Sequence, residues 1–151
     1  MRRLAVAAIL VLAFQPAPPI VDVRVQRVVD GDTFVTRSGA RVRLLGVDTP
    51  ETVHPTKPIQ CFGPEASAFA ERHLEGDRVG LEFDVEMTDH YGRTLAWVHD
   101  RRFARTFNWV LVRRGFARIR YYSPNWGYHA ELVAAQRKAK AERRGLWGAC
   151  A

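Results

Sequence analysis

Cysteine is scarce in this chain of 151 residues, where only Cys61 and Cys150 occur. The acidic side chains have no His and Cys cluster beside them of the kind that zinc requires. No internal repeat or low-complexity tract appears. The longest apolar run, Leu4 to Phe14, has 11 residues and is too short to cross a bilayer comfortably. Acidic residues are in deficit, 16 against 23 Lys and Arg, for a formal net charge of +7. What remains is ample for one globular domain: apolar residues make up 47% of the chain, which excludes general disorder. The basic balance suits a polyanionic partner such as nucleic acid or an acidic surface, although charge alone equally describes a merely soluble basic protein.

The N-terminus reads as a targeting segment. Met1-Arg2-Arg3 is a positive start, Leu4 to Phe14 an apolar core, and Pro16-Ala17-Pro18-Pro19 breaks any helix. Residues 1–17 therefore have the pattern of a secretory signal, cut after Ala13 or Ala17, with an uncleaved anchor as the alternative. The domain boundary would then place residues 18–151 in one folded unit. Export favours a bridge between the two cysteines over two free thiols. Such a bridge would tie the last residues to an early loop and restrict the unfolded chain, by roughly 4–5 kcal/mol in the chain-entropy description.

Short β-rich segments come first. Val21 to Val29 alternates as a half-buried strand does, and Asp30-Gly31-Asp32 is a turn signal. Thr33 to Thr36 resumes the strand pattern, Ser38-Gly39 turns the chain, and Arg41 to Val47 completes a meander. Gly63-Pro64-Glu65 then opens a helix with Pro in its first turn and an acid at the positive end of the dipole. Ala66, Phe69, Ala70 and Leu74 fall at helical spacing, and Gly76 stops the helix. Val79 to Val85 and Leu95 to His99 read as two more strands around a polar turn, Thr88 to Arg93. Thr106 to Arg114 is short and apolar enough for strand or helix. A Thr cap, two arginines at the end and Gly115 beyond them favour helix. Tyr128 to Arg144, rich in Ala, Lys, Arg, Glu and Gln, is helical by propensity. The expected class is α+β, mainly β: a five-stranded OB-type Greek-key barrel with three packed helices.

Chemistry can reside in the acids and arginines. Asp32 closes a turn, and Asp48 and Glu51 flank Thr49-Pro50 at a strand exit, with Asp30 and Asp22 near in sequence. If that exit lies beside the Asp30-Gly31-Asp32 turn, carboxylates and the Thr49 carbonyl would converge into the oxygen set that Ca²⁺ or Mg²⁺ prefers. Ordinary turn chemistry accounts for the same residues taken singly. Arg43, in an otherwise apolar strand, and Arg93, after Tyr91-Gly92, could each grip phosphate oxygens in a bidentate fork, or simply be surface charge. Tyr121-Tyr122, near Arg118 and Arg120, could stack on bases or edge the core. His73, His90 and His99 read as structural or solvated.

Taken in order, these motifs resemble one family, the staphylococcal nuclease-like or thermonuclease family, over about Val21 to Trp147. The carrying segments are Val29-Asp30-Gly31-Asp32-Thr33, Arg43-Leu44-Leu45-Gly46-Val47-Asp48-Thr49-Pro50-Glu51-Thr52 and Gly63-Pro64-Glu65-Ala66-Ser67-Ala68-Phe69. Thr88-Asp89-His90-Tyr91-Gly92-Arg93, Leu111-Val112-Arg113-Arg114-Gly115 and the late Tyr-Ser-Pro-Asn and Gly-Leu-Trp follow. The resemblance implies an OB barrel with three helices. It implies that Asp32, Asp48 and the Thr49 carbonyl bind Ca²⁺, and that Glu51 acts on the attacking water. It implies that Arg43 and Arg93 hold the phosphate, and that Tyr91, Tyr121 and Tyr122 contact the nucleotide. The implied reaction is hydrolysis of DNA and RNA at the 5′-oxygen, leaving 3′-phosphates, by a monomer with no stable protein partner. With the signal, the expected location is outside the cell or in the periplasm or cell envelope. His90 stands where the family often has Lys, the tyrosine segment is one residue short, and Cys61 and Cys150 lie outside the nuclease chemistry.

Two other classes compete. A catalytically silent OB module would bind nucleic acid after losing its acids, yet Asp32, Arg43, Asp48, Glu51 and Arg93 are all present. An exported basic protein that adheres to anionic surfaces would bind in a salt-sensitive, metal-independent way.

Overall fold

A computed structural model describes residues 19–53, 55–56 and 58–150, so the expected signal segment lies outside the described residues. Five strands close into a barrel in the order β1-β2-β3-β6-β5. They are β1 (Ile20–Asp30), β2 (Thr33–Thr36), β3 (Arg41–Leu44), β5 (Arg78–Glu82) and β6 (Thr94–His99). The length of β1 makes closure possible. Its first half pairs antiparallel with β5 and its second half with β2. Register shifts between Val25 and Arg27 and between Val28 and Asp30 bend it from one neighbour to the other. β3 and β6 run parallel. A separate two-stranded ladder joins β4 (Val47–Asp48) to β7 (Arg118–Ile119). The OB-type barrel expected from the sequence is thus the architecture observed.

Three helices of two turns or more pack on it: α1 (Gly63–Leu74), α2 (Phe107–Arg114) and α3 (His129–Ala141). The segment open to two readings is helical. The Thr106 hydroxyl accepts from the Trp109 amide, and Gly115 caps the other end at φ 78°. Trp97, Phe34, Phe107, Leu44, Leu111 and Leu132 are fully buried, so barrel interior and inner helix faces share one core. Asn108 is the polar pin within it. Its Oδ1 accepts from the Val98 amide at 2.9 Å, and its Nδ2 donates to the Leu45 carbonyl at 2.8 Å. A buried amide satisfied in this way fixes α2 against β6 and the turn after β3.

Boundaries differ from the sequence expectation in ways that matter to the site. The expected strand Arg41 to Val47 is two strands, because Gly46 adopts φ 71° and turns the chain before Val47. The segment expected to reach Val85 leaves the ladder at Glu82. The last long helix ends at Ala141 rather than Arg144, with Arg143 at φ 50°, and a short α4 (Leu146–Ala149) follows. Its start is pinned by the Leu146 amide donating to the Gly115 carbonyl. Cys61 and Cys150 are bonded, with Cα atoms 5.9 Å apart, so the loop before α1 is tied to the residue after α4.

Gly46 is required twice over, by its left-handed backbone and by space. A Cβ there would lie 2.7 Å from Leu132 Cδ1 and 2.8 Å from the Trp97 ring. Gly46→Ala is expected to lower stability by about 2–4 kcal/mol, read from the urea midpoint. Gly39, at φ 91° with open space around it, is the control. Gly39→Ala should cost only the backbone part, about 1 kcal/mol, and equal losses at both positions would refute the packing argument.

Candidate active site

The Asp30-Gly31-Asp32 turn joins β1 to β2, and the Asp32 amide donates to Asp30 Oδ1 at 3.0 Å. Gly31 has no alternative here, since a Cβ would sit 2.7 Å from the Thr49 side chain. The turn is therefore pressed against the strand exit at residues 48–50, the juxtaposition that spacing left open. Asp32 is 5% exposed, and both its oxygens are used. Oδ2 accepts from the Thr49 amide at 2.7 Å and the Thr49 hydroxyl at 3.0 Å. Oδ1 accepts from the Thr33 hydroxyl at 3.1 Å and lies 3.2 Å from Arg43 Nε.

Arg43 is equally buried and points from β3 into the same place. Its Nη1 donates to the Leu44 and Val47 carbonyls, both at 2.8 Å, and its Nη2 to Asp48 Oδ1 at 3.0 Å. The guanidinium thereby holds the Gly46 turn closed and faces two carboxylates at once. Asp48 Oδ2 lies 3.3 Å from Arg120 Nη1, which extends the chain of alternating charge outward. Burial, reinforced by the neighbouring Asp32 carboxylate, pushes Asp30 up to about 7.

Glu51 follows Pro50 in the loop leading to α1. Its Oε1 accepts from the amides of Thr52 at 3.0 Å and Val53 at 2.8 Å. Its main chain is clamped by Gln60, whose Oε1 accepts the Glu51 amide and whose amide donates to the Glu51 carbonyl. Gln60 adjoins bridged Cys61, so the loop is closed at both ends.

Arg93 is placed by a turn built on Asp89. Asp89 Oδ1 accepts from the amides of Tyr91 and Arg93, both at 2.9 Å, and Oδ2 from Arg93 Nε at 2.8 Å. Gly92, at φ 76°, permits the tight return. Tyr91 is 73% exposed, with the Arg93 guanidinium 5.4 Å from its ring centre and the His90 ring 3.7 Å from it, centre to centre.

A cavity of about 190 Å³ unites these parts: Asp30, Asp32, Arg43, Asp48, Thr49, Glu51, Arg93, Arg120 and Tyr122 all line it. A groove of about 410 Å³ adjoins it and shares Arg43, Arg93, Arg120 and Tyr122, with Tyr91, His90 and Asp89 on its far wall. Tyr121 lines neither. Its hydroxyl donates to the His129 carbonyl at 3.0 Å and its ring stacks on Trp126, while burial pushes its phenol up to about 12. The sequence expectation paired it with Tyr122 on the substrate. The structure turns it toward α3 instead, as neighbouring side chains of an extended segment leave in opposite directions. Asp30 and Arg120 are the charged lining residues to which the sequence reading gave no role. Asp30 was visible beside Asp32, whereas Arg120 arrives only through the long-range pairing of β7 with β4.

The donor set suits a hard cation: carboxylates and a carbonyl at a strand exit, with no sulfur or imidazole among them. Among the described residues, no group of three or more His, Cys, Asp or Glu side chains is drawn together closely enough to hold an ion alone. A cation here would take Asp32 and Asp48 and complete its shell with the Thr49 carbonyl and water.

Comparison with known proteins identifies the family. The family model described as "Staphylococcal nuclease homologue" matches residues 41–149. The chain is 42% identical over 127 residues to "Thermonuclease" of Staphylococcus hyicus, covering 82% of this chain and 74% of that one. It is 44% identical over 128 residues to "Thermonuclease" of Staphylococcus intermedius, with the same coverage. "Endonuclease YncB" of Bacillus subtilis (strain 168) is 35% identical over 133 residues, 85% of this chain and 62% of that one. Barrel and sequence relations together define a hydrolase of the nuclease class. The chain belongs to the staphylococcal nuclease homologue family.

The Asp89 turn carries a pH signature. Burial alone would raise the Asp89 carboxyl, but hydrogen bonds from the Arg93 amide and guanidinium, with the Arg93 charge and the Tyr91 amide, hold it below its ordinary 3.8. A carboxyl lowered by folding contributes order that is complete above its unfolded value and lost as pH falls through the folded one. The Arg93 amide should therefore stay protected at neutral pH and lose protection only below about pH 4, as read by NMR. Asp89→Asn should remove that acid transition, and persistence of the transition in the variant would assign it elsewhere.

Proposed function

We propose that the protein is an exported, calcium-dependent nuclease that hydrolyses DNA and RNA phosphodiesters at the 5′-oxygen, leaving 3′-phosphate ends. The observation that carries this reading is the meeting of Asp32, Asp48, Thr49, Glu51, Arg43 and Arg93 around one cavity. Asp32, Asp48 and the Thr49 carbonyl would hold the Ca²⁺. When bound, the cation supplies Lewis-acid stabilisation of phosphoryl charge and lowers the proton affinity of water.

The remaining steps belong to side chains of this protein. Glu51, oriented by the Thr52 and Val53 amides, accepts a proton from the water that attacks phosphorus. Arg43 and Arg93 donate to the non-bridging oxygens as negative charge builds in the pentacoordinate transition state. Both guanidiniums are pre-positioned by carboxylates, Arg43 by Asp32 and Asp48 and Arg93 by Asp89, so little reorganisation is needed when substrate arrives. As the bond from the water oxygen to phosphorus forms, the P–O5′ bond breaks, the 5′-oxygen takes up a proton from solvent to leave as a hydroxyl, and the phosphate stays on the 3′ side. Tyr91 and Tyr122, both exposed at the groove, offer faces for sugar or base. Tyr121 would contribute through Trp126 and His129 rather than by touching substrate. The Cys61–Cys150 bridge fits the oxidising compartment that a secretory signal at residues 1–17 would lead to, outside the cell or in its envelope. A monomer suffices, since one chain lines the whole cavity.

The test is degradation of plasmid DNA and of RNA in the presence of Ca²⁺, Mg²⁺ or chelator, with end-group analysis of the products. Cleavage with Ca²⁺, loss with chelator and 3′-phosphate ends are expected; no cleavage with Ca²⁺ would overturn the reading. Glu51→Gln and Arg93→Ala should each lower kcat by about 10²-fold or more. Ca²⁺ should also raise the unfolding midpoint of the wild type, and much less that of Asp32→Asn.

A further inference from the structure

Three guanidinium groups line the cavity, Arg43, Arg93 and Arg120, and they are not equivalent. Arg43 is enclosed, with a side chain only 6% exposed, and its contacts with two carbonyls and two carboxylates leave one Nη2 hydrogen for a substrate oxygen. Arg93 is held by the Asp89 turn. Together, Arg43 through its remaining Nη2 hydrogen and Arg93 through its terminal nitrogens, they can serve the non-bridging oxygens of one phosphodiester. Arg120 is a third cation beyond that need.

Its placement is specific. The β4–β7 ladder and a hydrogen bond from the Arg120 amide to the Gly46 carbonyl fix its backbone at the rim of the cavity. The side chain is 55% exposed, touches Asp48 Oδ2 at 3.3 Å and lies 5.3 Å from the Tyr122 ring centre. A solvated contact of this kind contributes only about 0–1 kcal/mol and is readily exchanged. Arg120 also lines the adjoining groove, where Tyr122 offers an aromatic face beside it. A cation paired with a stackable ring along a groove is the arrangement that tracks a nucleic-acid backbone.

We propose that Arg120 binds a second backbone phosphate of the substrate, next to the scissile one, as the strand passes from the cavity into the groove over Tyr122. The inference rests on the nuclease reading and extends it from a single phosphodiester to a polynucleotide. In the absence of substrate the guanidinium rests on Asp48; a backbone phosphate takes its place as partner. Arg120 thereby makes the enzyme favour substrates that carry more than one phosphate.

The experiment compares wild type, Arg120→Ala and Arg120→Lys on two substrates, a single-stranded oligothymidylate and the dinucleoside monophosphate TpT, which has one phosphodiester and no neighbouring phosphate. The ratio of kcat/KM for the oligomer to that for TpT should fall about tenfold in Arg120→Ala, through KM rather than kcat, and recover partly in Arg120→Lys. Without metal, in chelator, the slope of log affinity for labelled oligothymidylate against log salt should become shallower by about 0.7 in Arg120→Ala, the loss of one single-strand phosphate contact. Equal losses on both substrates, or an unchanged salt slope, would overturn the proposal. A shift only in the half-maximal Ca²⁺ concentration would do so too, assigning Arg120 to Asp48 instead. Wild type inactive on both substrates would refute the nuclease reading, while the metal-free salt slope would still decide whether Arg120 meets a phosphate.

Discussion

Asp32 and Arg43 form an ion pair in which each residue is 5% exposed, and the site is organised around it. Withdrawing both charges from water is expensive, and removing one partner typically costs about 3–5 kcal/mol because the other is left uncompensated. The pair is therefore better understood as a device for position than as a source of stability. Asp32 secures Thr49 through amide and hydroxyl, and Arg43 secures the Leu44 and Val47 carbonyls. Between them they join the β1–β2 turn, β3 and the β4 exit. The charges proposed to meet a substrate and those that hold the fold together are here the same groups, already held in position by the fold.

Much of the barrel was legible because its strands alternate and its turns are marked by Asp-Gly and Ser-Gly pairs. Thr106 and Gly115 likewise delimited α2, where hydrophobicity alone left two readings. The misplaced limits share a cause. Gly46 lies in an apolar run that reads as one continuous strand, and only its left-handed backbone divides β3 from β4. β4 and β7 have two residues each, too few for any period to register. Arg143, which takes positive φ after α3, stands in a sequence whose composition still favours helix.

For the site, ordered motifs named residues that distance in sequence keeps apart. Asp32, Arg43, Asp48, Thr49, Glu51, Arg93 and Tyr122 line one cavity, and Tyr91 borders the adjoining groove. Tyr121 shows the limit of motif reasoning: adjacent tyrosines count as two in a sequence but occupy opposite sides of a chain segment. The same parity sets Arg120 beside Tyr122, a signal available two residues away once the direction of Tyr122 is known. The Arg120–Asp48 contact spans 72 positions and depends on β7 finding β4, so no local pattern announces it. The Gln60 clamp on Glu51 is equally silent, being an amide in a loop with no period at all.

The bridge between Cys61 and Cys150 makes the chain from one to the other a covalent ring. A protease that severs such a ring once, for instance at the exposed Arg101-Arg102, produces two fragments that cannot diffuse apart. The first would carry Asp32, Arg43, Asp48, Glu51 and Arg93, and the second Arg120 and Tyr122. Tethered, they meet again at an effective concentration on the order of millimolar, and the severed molecule remains one particle.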